Sequence, residues 1–181
     1  MGVARDDEFD PRLVQRARRG DIAACTVLVR ELQDVWYRYC RSMLHDGEVA
    51  RDAAQETGLR FLAALPRFKG ESRLRTWSLG IALNVCREAR RAHRTPCPLM
   101  LAEREPTPPD QLVARTESIE RLEAAIAALP ERQREAVVLY YLRELTLKET
   151  ASAMGCTTGT VKATVSHALR RLREAPPVIP A

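Results

Sequence analysis

The chain has 181 residues, of which 45% are hydrophobic, 29% charged and only 5% aromatic, so it is neither a disordered polyelectrolyte nor a sheet-rich protein, and it has room for one medium or two small helical domains. The formal net charge of +5 suits a polyanionic partner and is unevenly placed: residues 10–94 carry 17 Lys and Arg against 10 Asp and Glu, residues 111–174 carry 10 against 8, and the N-terminal and connecting pieces are acidic. No apolar run approaches the ~20 residues of a membrane span and Met1-Gly2-Val3-Ala4-Arg5-Asp6-Asp7 lacks a signal-peptide core, which makes a cytoplasmic protein the expectation.

In chain order, Asp10-Pro11 has cap and first-turn chemistry for a helix running to about Arg19, and Gly20-Asp21 ends it and caps the next. Cys25, Leu28, Leu32, Trp36, Tyr39 and Met43 then recur every three or four residues, predicting a long helix from Asp21 to about His45 with Trp36 in the core. His45-Asp46-Gly47 is turn chemistry, and a third helix is predicted from about Glu48 to Leu65, closed by Pro66. Around Asp52-Ala53-Ala54-Gln55-Glu56-Thr57-Gly58 its side chains are small and polar, the pattern of an exposed surface with an acidic edge. A loop follows at Pro66–Ser72. Leu74, Trp77, Ile81 and Val85 mark a fourth helix that places Trp77 in the core and continues into Arg87, Arg90, Arg91 and Arg94. These arginines fit either a helix-dipole and solvation role or a phosphate-facing ridge.

From Thr95 to Asp110 five prolines and three acidic residues indicate an extended connector. Beyond it, Ile119, Leu122, Ile126 and Leu129 predict an amphipathic helix, and Pro130-Glu131 starts another containing Val137, Val138, Tyr140 and Tyr141. Thr146 and Glu149 have capping-box spacing, Leu147, Ala151 and Met154 form one apolar stripe, and Gly155 suits the left-handed end of a helix. Thr157 caps a second short helix with Val161, Val165, Ala168 and Leu172 inward and Lys162, Ser166, Arg170 and Arg173 on another face. Spacing alone allows a plain helical hairpin with a solvated basic face or a helix-turn-helix whose second helix enters a DNA major groove. The segment after Glu174 reads as a frayed tail.

Five segments together resemble the extracytoplasmic-function sigma factors of bacterial RNA polymerase. Asp52-Ala53-Ala54-Gln55-Glu56-Thr57 is similar to that family's core-polymerase-binding segment, and Arg67-Phe68-Lys69-Gly70-Glu71-Ser72 with Arg75-Thr76-Trp77 to its promoter-reading loop and helix. Ile81-Ala82-Leu83-Asn84 stands where Ile-Ala-Arg-Asn is common; Leu129-Pro130-Glu131-Arg132-Gln133-Arg134-Glu135 resembles the opening of the C-terminal domain; and Gly159-Thr160-Val161-Lys162 with His167-Ala168-Leu169-Arg170-Arg171-Leu172-Arg173 resembles the recognition helix.

The resemblance implies an all-α chain of two small helical domains joined by a Pro-rich linker: 10–94 for core-polymerase binding and recognition and melting of the −10 element, 95–110 as linker, and 111–174 as a helix-turn-helix domain for the −35 element. It implies core-polymerase contacts from Asp52, Gln55 and Glu56; −10 contacts from Phe68, Lys69, Gly70, Ser72, Asn84, Arg87, Arg90, Arg91 and Arg94; and −35 contacts from Thr158, Thr160, Lys162, Ser166 and Arg170. Core RNA polymerase, promoter DNA and an anti-sigma factor are the implied partners. The chain departs from the family at Ala163-Thr164, where Ser-Arg is usual, at Leu83, and at Ala53, Ala54 and Gly58, whose small side chains imply a less rigid polymerase-binding helix.

An enzyme is the first competing reading, but no glycine-rich phosphate loop, HExxH, GxSxG or paired carboxylate set is present, and no cofactor is expected. His93 and Cys97 lack the two further ligands of a metal site, and the five cysteines, Cys25, Cys40, Cys86, Cys97 and Cys156, without CxxC spacing, read as reduced thiols in packing roles. The second competitor, a stand-alone helix-turn-helix regulator, leaves the acidic edge and basic loop of residues 52–94 without a use.

Overall fold

Side-chain caps set where the helices begin. Asp10 accepts from the Arg12 N–H at 2.9 Å to open α1 (Pro11–Arg18), with Pro11 in the first turn, where its missing N–H is no loss. The computed structural model describes residues 9–44, 46–94, 122 and 124–174, and among them every regular element is a helix. Asp21 accepts from the Ala24 N–H at 3.1 Å to open α2 (Ile22–Met43), and Asp46 accepts from Glu48 and Val49 to open α3 (Gly47–Ala64). The expected stop at Pro66 is softer than the sequence suggests. A 3₁₀ turn at Leu65–Arg67 carries the chain through the proline, closed by the Phe68 N–H on the Leu65 carbonyl at 3.0 Å. After a short loop comes α4 (Leu74–Arg94).

The first half is built on aromatic contacts. Leu28, Leu32, Trp36, Tyr39 and Met43 are buried along α2. Trp36 lies 5.1 Å from Phe61 by ring centroid, Phe61 lies 5.7 Å from Trp77, and Trp77 lies 4.9 Å from Phe68, which makes a tilted aromatic chain across α2, α3, the loop and α4. The Trp36 indole N–H, which would be costly to bury unpaired, donates to Ser78 Oγ at 3.0 Å. Gly58 takes part in this packing, because a Cβ there would come within 3.4 Å of the Trp36 ring. Cys40 and Cys86 meet in the same core with sulfurs 3.6 Å apart and, like Cys25 and Cys156, are free thiols.

The second half begins with a helical stretch at 124–127 and continues in α5 (Glu131–Val137). This helix widens into a π turn at Val138–Leu142, where the Arg143 N–H reaches back to the Val138 carbonyl at 2.9 Å. Then come α6 (Leu147–Met154) and α7 (Thr158–Glu174). Buried residues of both halves, from Ala17 to Ala168, form one continuous apolar core, and α4 is the wall that the two helical halves share. The connector at 95–110, Ile119, Cys97, His45 and the tail after Glu174 lie outside the described residues.

Truncating Phe61, which bridges both tryptophans, should lower unfolding free energy by about 3–5 kcal/mol. Urea denaturation of Phe61→Ala followed by tryptophan fluorescence measures this.

Candidate nucleic-acid interface

The helix-turn-helix follows from local chemistry. Thr146 Oγ1 accepts from the Glu149 N–H at 3.2 Å, and the Glu149 carboxylate accepts from the Thr146 N–H at 2.8 Å, so both halves of the capping box form. Gly155 adopts φ 63°, a left-handed conformation open to glycine, which lets the chain leave α6 and restart within three residues. Thr157 then caps α7, its hydroxyl accepting from the Thr160 N–H at 3.2 Å. Val161, Val165 and Ala168 are buried against the rest of the fold. Thr158, Lys162, Ser166 and Arg170 follow at four-residue intervals along an exposed ridge of α7. Thr160 is also exposed but lies on another side of the helix, its hydroxyl 2.9 Å from that of Thr157. At the departure from the family pattern, Ala163 is exposed, whereas Thr164 is half-buried and donates to the Thr160 carbonyl at 2.7 Å.

The expected −10 residues do not share one surface. Lys69, Gly70, Asn84 and Arg91 are exposed and Ser72 is half-buried. Phe68 corrects the sequence expectation: it is only 7% exposed and its ring packs on Trp77, so it anchors the loop from beneath and presents no face to a base. Alternation between loop and core is invisible in so short a segment. Leu83, where an arginine is common in the family, is fully buried. The Arg94 side chain lies outside the described residues.

Arg87 and Arg90 are half-buried and face α5. Arg87 grips Glu135 with both arms of its guanidinium, Nε at 2.9 Å and Nη2 at 2.8 Å. Arg90 donates to Glu131 at 2.7 Å and to Glu135 at 3.4 Å. Glu135 itself is completely buried. Its carboxylate, with an opposing burial effect, raises the pKa of Arg87 above the ordinary guanidinium value. No periodicity pattern reveals this pairing, because its members are 48 residues apart.

On the opposite side, Asp52 and Gln55 are exposed, while Glu56 bonds Arg60 Nε at 2.6 Å and Arg60 also pairs with Glu88 at 2.8 Å. Beside them α2 and α3 form an open groove of about 700 Å³ whose lining includes Tyr37, Gln55, Gly58, Leu59 and Leu62. Leu59 is 65% exposed and Leu62 38%. No motif marks these leucines for binding; their signal is two large apolar groups three residues apart on an otherwise polar surface. Among the described residues no helix is long and apolar enough to cross a membrane.

Two family models match the chain in order: Sigma-70 region 2 over residues 28–95 and Sigma-70 region 4 over residues 119–172. The chain is 32% identical over 172 residues to the ECF RNA polymerase sigma factor SigD of Mycobacterium tuberculosis, covering 90% of this chain and 81% of SigD. Among solved structures, CnrH in complex with the cytosolic domain of CnrY aligns with a TM-score of 0.69 at 22% identity, over 90% of this chain and 94% of CnrH. The sigma factor RpoE of Bartonella quintana, in complex with the anti-sigma factor NepR, aligns with a TM-score of 0.62 at 23% identity, over 82% and 91% of the respective chains. At these identities the two structures establish a common helical fold.

The Glu149 carboxyl gives a pH prediction. Burial pushes its pKa up, but hydrogen bonds from the Thr146 hydroxyl and N–H, the charge of Arg73 and the Thr76 hydroxyl outweigh this and hold it below the usual carboxylate value. A depressed carboxyl stabilises the fold above its ordinary value, and that contribution is lost as pH falls through the folded value. Glu149→Gln should therefore reduce stability at neutral pH and flatten its acid dependence, as read from thermal melts across the acid range. At the exposed ridge, Lys162→Ala should weaken duplex binding and lower the salt slope by about 1 if Lys162 holds one phosphate, as read by fluorescence anisotropy over a salt series.

Proposed function

The chain belongs to the extracytoplasmic-function RNA polymerase sigma factors, and from that premise we propose how its surfaces divide the work of binding core polymerase and directing promoter-specific initiation. Residues 10–94 engage the polymerase and the −10 element, and residues 111–174 engage the −35 element. The observation that carries this reading is the ordered match to regions 2 and 4, the second of which contains an exposed ridge of Thr158, Lys162, Ser166 and Arg170 on a capped helix. A stand-alone regulator would need only the second match.

On this reading Asp52, Gln55 and Glu56 meet a basic polymerase surface, where complementary charge speeds encounter and fixes register. The adjoining apolar groove with Leu59 and Leu62 supplies the burial that charge alone does not. In the second half, α7 enters a major groove, with Thr158, Thr160 and Lys162 near its N-terminus toward base edges and phosphates and Ser166 and Arg170 further along the duplex. For the −10 element, the Lys69-Gly70 turn, Ser72 and Asn84 offer hydrogen-bonding groups to unpaired bases, and Arg87, Arg90, Arg91 and Arg94 hold phosphates. Phe68 acts from below by fixing that turn. The chain supplies recognition and strand opening, while bond chemistry belongs to the polymerase. RpoE was captured with an anti-sigma factor, and we extend that mode of control to this chain: a protein partner that covers these surfaces.

The test is transcription by purified bacterial core polymerase on a library of promoter templates, with and without the chain. Discrete transcripts that require the chain are expected; failure both to bind core and to start any transcript overturns the reading. Replacing Ala163-Thr164 by Ser-Arg should tighten −35 duplex binding and steepen its salt slope by about one phosphate contact, measured by anisotropy on a promoter selected in that assay.

A further inference from the structure

The last turns of α2, the start of α4 and the chain just beyond the π turn enclose a cavity of about 280 Å³. Its walls carry four guanidiniums, those of Arg38, Arg73, Arg75 and Arg143, against the two carboxylates of Glu144 and Glu149. Glu149 is largely committed elsewhere. One of its oxygens accepts from the Thr146 N–H and hydroxyl at 2.8 and 2.6 Å, and the other accepts from the Thr76 hydroxyl at 3.4 Å and lies 3.5 Å from Arg73 Nε. Glu144 is then the carboxylate set against Arg38, Arg75 and Arg143. Thr76 and Leu145 also line the cavity and both are buried, so the cations converge on a recess rather than on a convex ridge.

The wall that carries Arg143 is fixed in place. The Arg143 and Leu145 N–H groups donate to the Val138 and Leu139 carbonyls at 2.9 and 3.1 Å. Between them Glu144 is held at φ 53°, the one non-glycine residue with a left-handed backbone among the described residues. Such conformations persist only where surrounding contacts impose them, and they gather at ligand sites. The Arg143 side chain is pinned through Nη2, which donates to the Arg38 carbonyl at 2.8 Å and to Ser42 Oγ at 3.1 Å, while its Nε is buried with no hydrogen-bond partner. Burial, and the neighbouring charges of Arg38 and Arg75, hold the Arg143 pKa below the ordinary guanidinium value. Cations crowded in this way lack the counter-charge that an anion brings.

We propose that this recess binds a small phosphate-class oxyanion, pyrophosphate or the diphosphate of a nucleotide, between the guanidiniums of Arg38, Arg75 and Arg143. Phosphate oxygens match the planar guanidinium fork and accept several charge-assisted hydrogen bonds at once. Duplex DNA fits less well, because its phosphates stand on a convex surface and reach an exposed ridge more readily than a recess lined by buried Thr76 and Leu145. Neither the ridge of α7 nor the groove between α2 and α3 contributes residues to the recess, so it is distinct from both surfaces. A bound diphosphate ties α2, the start of α4 and the turn around Glu144 together, and its occupancy adds to the stability of the fold by mass action.

Isothermal titration of the full-length chain with pyrophosphate, at ionic strength matched with sodium chloride, tests this, with thermal melts as an independent readout. One pyrophosphate should bind per chain and raise the melting temperature in a saturable way. Arg38→Gln removes an exposed guanidinium while leaving the main-chain carbonyl that receives Arg143, so the fold is retained and affinity should fall about tenfold or more. Arg143→Lys keeps the charge but loses the fork and should also weaken binding. Arg19→Gln, at the exposed C-terminal cap of α1, removes the same charge elsewhere and should leave affinity unchanged. ADP separates the two sources of the anion: affinity equal to or weaker than that of pyrophosphate assigns the site to the bare anion, and tighter binding assigns it to a nucleotide. Absence of saturable binding, or equal affinity in the parent and both site variants, overturns the site. The small-ligand assignment is also overturned if pyrophosphate displaces a random-sequence duplex and Arg38→Gln loses affinity for both by the same factor, which makes these arginines a DNA-backbone contact. None of these measurements includes core polymerase, so the family role is tested separately.

Discussion

A single buried carboxylate governs how the two halves of this chain meet. Glu135 is shut away from water in α5, where an unpaired charge would cost several kcal/mol. Among the described residues, Arg87 and Arg90, one turn apart on α4, form ion pairs with it. That requirement fixes the register of α5 against α4, and with it the approach of α6 to Gly80 and the reach of Arg143 to α2. Glu131, in the first turn of α5, completes the arrangement by pairing Arg90 at the helix end that favours negative charge.

The consequences for function are unequal across the surface. With α4 covered, the exposed ridge of α7 and the acidic edge and apolar groove of α2 and α3 remain open. Of the residues proposed to meet the −10 element, Arg87 and Arg90 are held by Glu135 and Glu131, whereas Lys69, Gly70, Asn84 and Arg91 remain exposed.

The helices were legible in the sequence because their signals are local. Asp10, Asp21, Thr146 and Thr157 cap where their chemistry predicts, Gly155 takes the left-handed conformation expected of it, and the α2 stripe from Leu28 to Met43 is buried as its spacing implies. The exposed ridge of α7 was legible for the same reason, since its exposure follows from the burial of Val161, Val165 and Ala168. What the sequence hid is tertiary. Phe68 sits in a polar loop yet turns inward because Trp77, nine residues on, provides an aromatic surface. Arg87 and Arg90 have the spacing of a phosphate ridge, and nothing near them in the chain announces carboxylates 41 to 48 residues away. The π turn at Val138–Leu142 lies within the helix predicted to contain Val138, Tyr140 and Tyr141, and Arg143 beyond it reaches α2.

The energetic coupling of Arg87 to Glu135 decides whether the two halves depend on their buried contact. A double-mutant cycle of Arg87→Ala, Glu135→Ala and the pair, read by urea denaturation of the full chain, measures it directly. A buried bidentate pair that organises the contact of the two halves should give a coupling of about 1–3 kcal/mol. Additive effects, with coupling near zero, would mean that the two halves do not depend on this contact and would contradict the governing role of Glu135.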